Sequence, residues 1–169
     1  SVSPDEAKTE VEFGTKRPNT SDVISALMSG GSMGLASVRG GLSSDVSRYL
    51  EGGSGAIVTS SGMAAQDLLF HLLNPGDLLI APFDCYGGTY RLLESLNERG
   101  HFKVLFIDQT DKDALKDAFE HGPRMIFTET PTNPLLRIID LEFVKSLCEK
   151  QDTLMAVDNT FASPVLQRP

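Results

Sequence analysis

From Gly55 onward, short apolar runs alternate with segments of helical spacing. Ala56-Ile57-Val58 reads as a buried strand, followed by the small polar turn Thr59-Ser60-Ser61-Gly62. Residues 63–73 have helical spacing, and Met63, Leu68, Leu69, Leu72 and Leu73 can share one apolar side. Asn74-Pro75-Gly76-Asp77 stops that helix, and Leu78-Leu79-Ile80-Ala81 is the next strand. A helix over 89–99 ends at Gly100, and 103–107 is a strand. Residues 111–120 form an amphipathic helix with Leu115, Ala118 and Phe119 on one side. The strand over 125–128 leads into Glu129-Thr130-Pro131-Thr132-Asn133-Pro134. A helix over 141–150 precedes the strand over 154–157, which leads into Asp158-Asn159-Thr160-Phe161. The predicted fold class is α/β, with a mainly parallel sheet carrying helices on both faces.

Residues 1–53 break the pattern. They read as an N-terminal arm and a divergent segment, with short helices over 22–28 and 45–50 between glycine-rich stretches. Residues 54–169 read as part of one larger domain. The chain has 169 residues, enough to bury a sizeable core. Its 40% hydrophobic and 22% charged content is that of an ordinary globular protein. No apolar run approaches a membrane span. A net charge of -8 without a basic cluster disfavours nucleic acid and anionic membranes. Cys85 and Cys148 share no spacing pattern, which suggests a reduced, cytoplasmic setting. His71, His101 and His121 lack ligand spacing, so no metal site is expected.

In a parallel sheet with right-handed crossovers, every strand-to-helix loop reaches the same edge, where ligands bind. Ser61-Gly62, Tyr86-Gly87-Gly88, Asn133 and Asp158 all follow strands and should meet there. Gly62 at a helix start leaves room for an anion at unpaired N–H groups. Each residue alone has a structural explanation: a capped turn, a packed loop aromatic, a turn-forming Asn133, a capping Asp158. Together they suit a planar, phosphorylated, basic heterocycle. Pyridoxal phosphate is such a ligand. Its phosphate needs N–H donors, its ring an aromatic face, and its ring nitrogen a carboxylate that keeps it protonated.

The runs LEGGSGAIVTSSGMAA, NPGDLLIAPFDCYGGTYRL, VLFIDQ, ETPTNPLLRIIDL and AVDNTFASPVLQ carry a further signal. Over residues 50–166 they closely resemble the Cys/Met-metabolism (trans-sulfuration) family of pyridoxal-phosphate enzymes. DCYGGTYRL is most similar to the γ-synthase branch. The resemblance implies the large domain of an aspartate-aminotransferase-like fold. It implies Gly62 and Met63 as donors to the phosphate, Tyr86 as the stacked aromatic that also assists proton movement, and Asp158 as the partner of the ring nitrogen. Thr160 lies where the family packs a residue beside the cofactor, and Asn133 where an amide meets the ring oxygen and the substrate carboxylate. The implied reaction is γ-replacement on an O-acylhomoserine by cysteine. β- or γ-lyase and methionine γ-lyase chemistry are the alternatives within the family. The implied assembly is a homo-oligomer with shared active sites.

Two departures qualify the resemblance. The family's cofactor-anchoring lysine follows the D-N-T-F segment after one more strand, beyond Pro169. Lys103, Lys112, Lys116, Lys145 and Lys150 fall on predicted helices or a strand start. Little or no γ-replacement is therefore expected of this chain alone. A sheet ending at the Met155 strand is also expected to leave apolar edges and helix faces uncovered. Near the N-terminus, Arg39 matches the arginine that reaches a neighbouring subunit's phosphate, but the family's tyrosine and Asn-Pro-Thr are absent. Two other roles stay open: a non-catalytic remnant docking on a full-length relative, and a small α/β domain for another phosphorylated ligand. The second lacks any G-x-G-x-x-G or Walker-type run.

Overall fold

The computed structural model describes residues 57, 59–162 and 166–169. The expected arm over 1–53, its two short helices and Arg39 lie outside those residues. The described elements are α1 (Gly62–Phe70), β1 (Leu78–Pro82), α2 (Gly87–Glu98), β2 (Lys103–Ile107), α3 (Lys112–Phe119), β3 (Met125–Glu129), α4 (Leu141–Gln151) and β4 (Leu154–Asp158).

Local chemistry sets the helix boundaries. The Ser61 side chain accepts from the Ala64 N–H at 3.2 Å and caps α1. Asp111 accepts from the Asp113 and Ala114 N–H groups at 2.9 and 3.2 Å and caps α3. Asp140 caps α4 by accepting from Phe143 at 3.0 Å. Gly100 (φ +74) and Gly122 (φ +65) take the left-handed backbone that ends the segments after α2 and α3. No described helix is long and apolar enough to cross a membrane.

All strand pairs are parallel, in the order β2-β1-β3-β4. The chain passes from β1 to β2 on one side, then returns to place β3 on the other. The sheet therefore has a topological switch point between the carboxyl ends of β1 and β3, where crevices form in open α/β sheets.

Alternate strand residues build two cores. Leu79, Ala81, Met125, Phe127, Leu154 and Ala156 pack with Leu69, Phe70 and Leu73 from α1 and its exit, and with Leu93 of α2. Ile80, Ile126, Met155 and Val157 pack with Leu115, Ala118 and Phe119 of α3 and Val144 and Cys148 of α4. The expected parallel sheet with covered faces is therefore observed, and the α3 stripe is the expected one.

Three expectations change. Ile57 is 78% exposed and in no strand; its neighbours Ala56 and Val58 lie outside the described residues. Three apolar residues hold too little pattern to separate a strand from a linker. On α1, Leu68 and Leu72 face outward, and the buried stripe is Gln66, Leu69, Phe70 and Leu73. Those four keep helical spacing only when the polar Gln66 is counted. At the sheet edge, all five β4 side chains are buried, while exposed apolar side chains stand on the helix faces, Leu68 of α1 and Tyr90 of α2, and in the loops.

Candidate cofactor site

A cavity of about 310 Å³ opens near the switch point. Its lining includes six of the residues expected from the sequence: Gly62, Met63, Tyr86, Asn133, Asp158 and Thr160. Ser61, Gln66, Glu129, Pro131 and Phe161 complete it.

At one side stands the start of α1. Gly62 and Met63 are its first residues, so their N–H groups have no acceptor within the helix. Ser61 already satisfies the next donor, Ala64. The helix dipole adds partial positive charge at this point. No Lys, Arg or His lines the cavity among the described residues. The α1 terminus is thus its electropositive end.

Tyr86 follows β1, starts α2 and is 47% exposed. Its ring lies close over Gly88. A Cβ at Gly88 would come within 2.5 Å of Tyr86 Cε1 and 3.0 Å of Met63 Sδ. The absent side chain lets the aromatic, the start of α1 and the start of α2 converge.

Two carboxylates, Asp158 and Glu129, also line the cavity. Asp158 is nearly buried and accepts hydrogen bonds at both oxygens. Oδ1 accepts from the Thr160 N–H at 3.0 Å and hydroxyl at 2.6 Å. Oδ2 accepts from Gln66 Nε2 at 3.3 Å. Asp158 therefore closes a local turn and also lines the cavity. Glu129 sits at the end of β3, with Oε2 accepting from the Tyr86 N–H at 3.0 Å and Oε1 from the Asn133 N–H at 2.6 Å. One carboxylate thus ties the β1–α2 loop to the β3–α4 loop. The Thr132 hydroxyl makes a second tie, donating to Asp84 Oδ2 at 2.7 Å. Burial pushes the Glu129 carboxyl from its ordinary 4.5 up to about 7. The Tyr86 and Asn133 N–H groups oppose that rise, and the nearby charges of Asp158 and Asp84 add to it.

Glu129 and Gln66 were not among the expected site residues. Glu129 had a signal, an acidic residue closing an apolar strand run. Gln66 had another, a polar residue in the stripe of α1. Cys85 and Cys148 are buried free thiols, both pushed up to about 12, first by burial. At neutral pH neither is a nucleophile. The lysines expected on helices or at a strand start lie there: Lys103 opens β2, Lys112 and Lys116 are in α3, and Lys145 and Lys150 are in α4. None lines the cavity.

Residues 41–169 match the model of the Cys/Met metabolism PLP-dependent enzyme family. The chain belongs to this family. Among curated relatives it is 50% identical over 121 residues to cystathionine gamma-synthase of Escherichia coli K12, covering 71% of this chain and 31% of the relative. It is 37% identical to cystathionine beta-lyase of Coxiella burnetii, covering the same shares, 71% and 31%. Among solved structures, a cystathionine gamma synthase from Xanthomonas oryzae pv. oryzae, in complex with aminoacrylate and cysteine, superposes with a TM-score of 0.73 at 46% identity. That match covers 76% of this chain and 33% of the other. The chain spans about a third of the length of the curated relatives it matches. The fold is that of the large domain of fold type I enzymes, and the Cys/Met-metabolism family's cofactor is pyridoxal 5'-phosphate.

The cavity fits that cofactor on its own chemistry. Its lining combines the N–H donors that open α1 with two carboxylates. Such a cavity suits a ligand with a phosphate and a cationic ring nitrogen, with Tyr86 as an aromatic in the same lining.

Proposed function

We propose that this chain supplies the cofactor-holding part of a γ-synthase-type enzyme, one that replaces the acyl group of an O-acylhomoserine with the thiol of cysteine. The observation carrying this reading is the cavity lining, which brings together the α1 start, Asp158, Glu129 and Tyr86. The higher identity to the gamma-synthase than to the beta-lyase, 50% against 37%, favours γ-replacement over β- or γ-elimination.

Bound pyridoxal phosphate supplies an electron sink. The chain's own residues bind it and aim it. Gly62 and Met63 N–H groups hold the phosphate. Tyr86 stacks on the ring, and its hydroxyl moves a proton. Asp158 keeps the proton on the ring nitrogen, with Thr160 fixing the carboxylate. Asn133 orients the substrate carboxylate. Glu129 holds the loops of Tyr86 and Asn133 in register. With no lysine lining the cavity among the described residues, these groups bind the cofactor without a covalent bond. γ-Replacement then needs a base from outside them. The same reading includes a homo-oligomer, or association with a full-length relative, in which Arg39 reaches a neighbour's phosphate. It also includes a reduced, cytoplasmic setting for the two free thiols.

The test is a pyridoxal-phosphate titration followed by absorbance, with borohydride trapping and peptide mapping. Saturable binding with no labelled lysine is expected. Stoichiometric labelling of one lysine would overturn the noncovalent reading. Absence of saturable binding would overturn the cofactor role of these residues.

A further inference from the structure

Gln66 is out of place in its helix. It occupies the buried stripe of α1 with Leu69, Phe70 and Leu73, and it is 2% exposed. An apolar residue there would extend the core at no polar cost, whereas a buried amide is costly unless both its ends are bonded. Both ends are. The Thr89 hydroxyl donates to Gln66 Oε1 at 2.8 Å, and Gln66 Nε2 donates to Asp158 Oδ2 at 3.3 Å. Thr89, in the first turn of α2, is itself fully buried.

The chemistry fixes which way the amide points. An ionised carboxylate only accepts, so the NH2 end must face Asp158. The carbonyl end then faces α2, where the Thr89 hydroxyl serves it. Asp158 is held from two sides, with Thr160 on Oδ1 and Gln66 on Oδ2. Two anchored oxygens leave the carboxylate plane little freedom to turn. Its ionisable neighbours are Glu129 at the end of β3 and Cys85 in the β1–α2 loop.

We infer that Thr89 and Gln66 form a positioning relay that fixes the Asp158 carboxylate toward a cationic ring nitrogen in the cavity. The relay rests on the cofactor reading above and deepens it. Neither residue needs to touch the ligand through the atoms used here. Each acts through Asp158, so both are positioning residues.

The experiment uses pyridoxal phosphate labelled with 15N in the ring, bound to the whole chain. The 15N resonance reports ring protonation, and an absorbance titration gives Kd. For the unaltered chain, a resonance at the protonated position is expected at pH 8. Gln66→Leu should move it toward the unprotonated position and raise Kd about tenfold. Thr89→Val, which keeps size and loses only the hydroxyl, should shift it the same way with roughly a threefold rise in Kd. Thr89→Ser should restore both values. Variants that keep the resonance and hold Kd within about twofold would overturn the relay, even if their thermal unfolding midpoints fall. Thr89→Val keeps the test decisive if Gln66→Leu does not fold. Failure of the unaltered chain to bind would instead sink the cofactor reading itself.

Discussion

The two faces of the sheet use alternate residues of the same strands but differ in what they bury. The α3/α4 face buries Leu115, Ala118, Phe119, Val144 and Cys148 against Ile80, Ile126 and Met155, with the fully buried Thr128 beside Ile126 on the same side of β3. The α1/α2 face buries a comparable apolar set, but Gln66 and Thr89 are also fully or nearly buried among its helices. Their hydrogen bonds lead to Asp158 at the cavity. The buried polar pair of the α1/α2 face is hydrogen-bonded through to a cavity-lining carboxylate, whereas the buried Thr128 hydroxyl of the α3/α4 face has no partner.

The largest expected effect separates the faces by stability. Phe119→Ala on the α3/α4 face should cost about 3–5 kcal/mol in urea unfolding, because it empties a fully buried ring site. Under conditions where the variant is folded, its pyridoxal-phosphate Kd should match the unaltered chain. Asp158→Asn is the converse. It should raise that Kd about a hundredfold, roughly 2.7 kcal/mol, while the unfolding midpoint changes little.

These two positions also show what the sequence makes legible. The strand over 103–107 and the Leu115/Ala118/Phe119 stripe follow directly from apolar spacing, since packing alone decides them. Leu68 and Leu72 are misread because a search for apolar residues skips Gln66, and the true stripe runs through it. Site residues at strand ends are legible because parallel topology sends them all to one edge. Glu129 carries only the signal of an acidic residue closing an apolar strand, because its partners are backbone N–H groups, one of them 43 residues away in the chain. Such contacts leave no side-chain pattern to read.

A pH series sharpens the comparison at the switch point. Glu129 holds its proton more tightly folded than unfolded, with its carboxyl pushed from 4.5 up to about 7. Its contribution is therefore fully present below about pH 4.5 and is lost as pH rises through about 7. Relative to Glu129→Gln, the unaltered chain should lose on the order of 2 kcal/mol across that window, measured by urea unfolding. A smaller effect is expected at Gly88. Gly88→Ala places a Cβ 2.5 Å from Tyr86 Cε1, so the ring must move. Its pyridoxal-phosphate Kd should rise about tenfold, roughly 1.4 kcal/mol, by absorbance titration. The smallest effect belongs to the surface of α3. Lys116 pairs with Asp113 at 2.7 Å, both exposed, and Lys116→Ala should leave both the urea unfolding midpoint and Kd essentially unchanged.

The central claim is that the cavity lined by the α1 start and Asp158 holds pyridoxal phosphate. Parallel titrations of the unaltered chain and Asp158→Asn with pyridoxal phosphate, followed by absorbance, test it most directly. Saturation at one cofactor per chain, with affinity falling about a hundredfold in the variant, is the predicted result. Equal affinity in the two proteins, or no saturation in the unaltered chain, would contradict it.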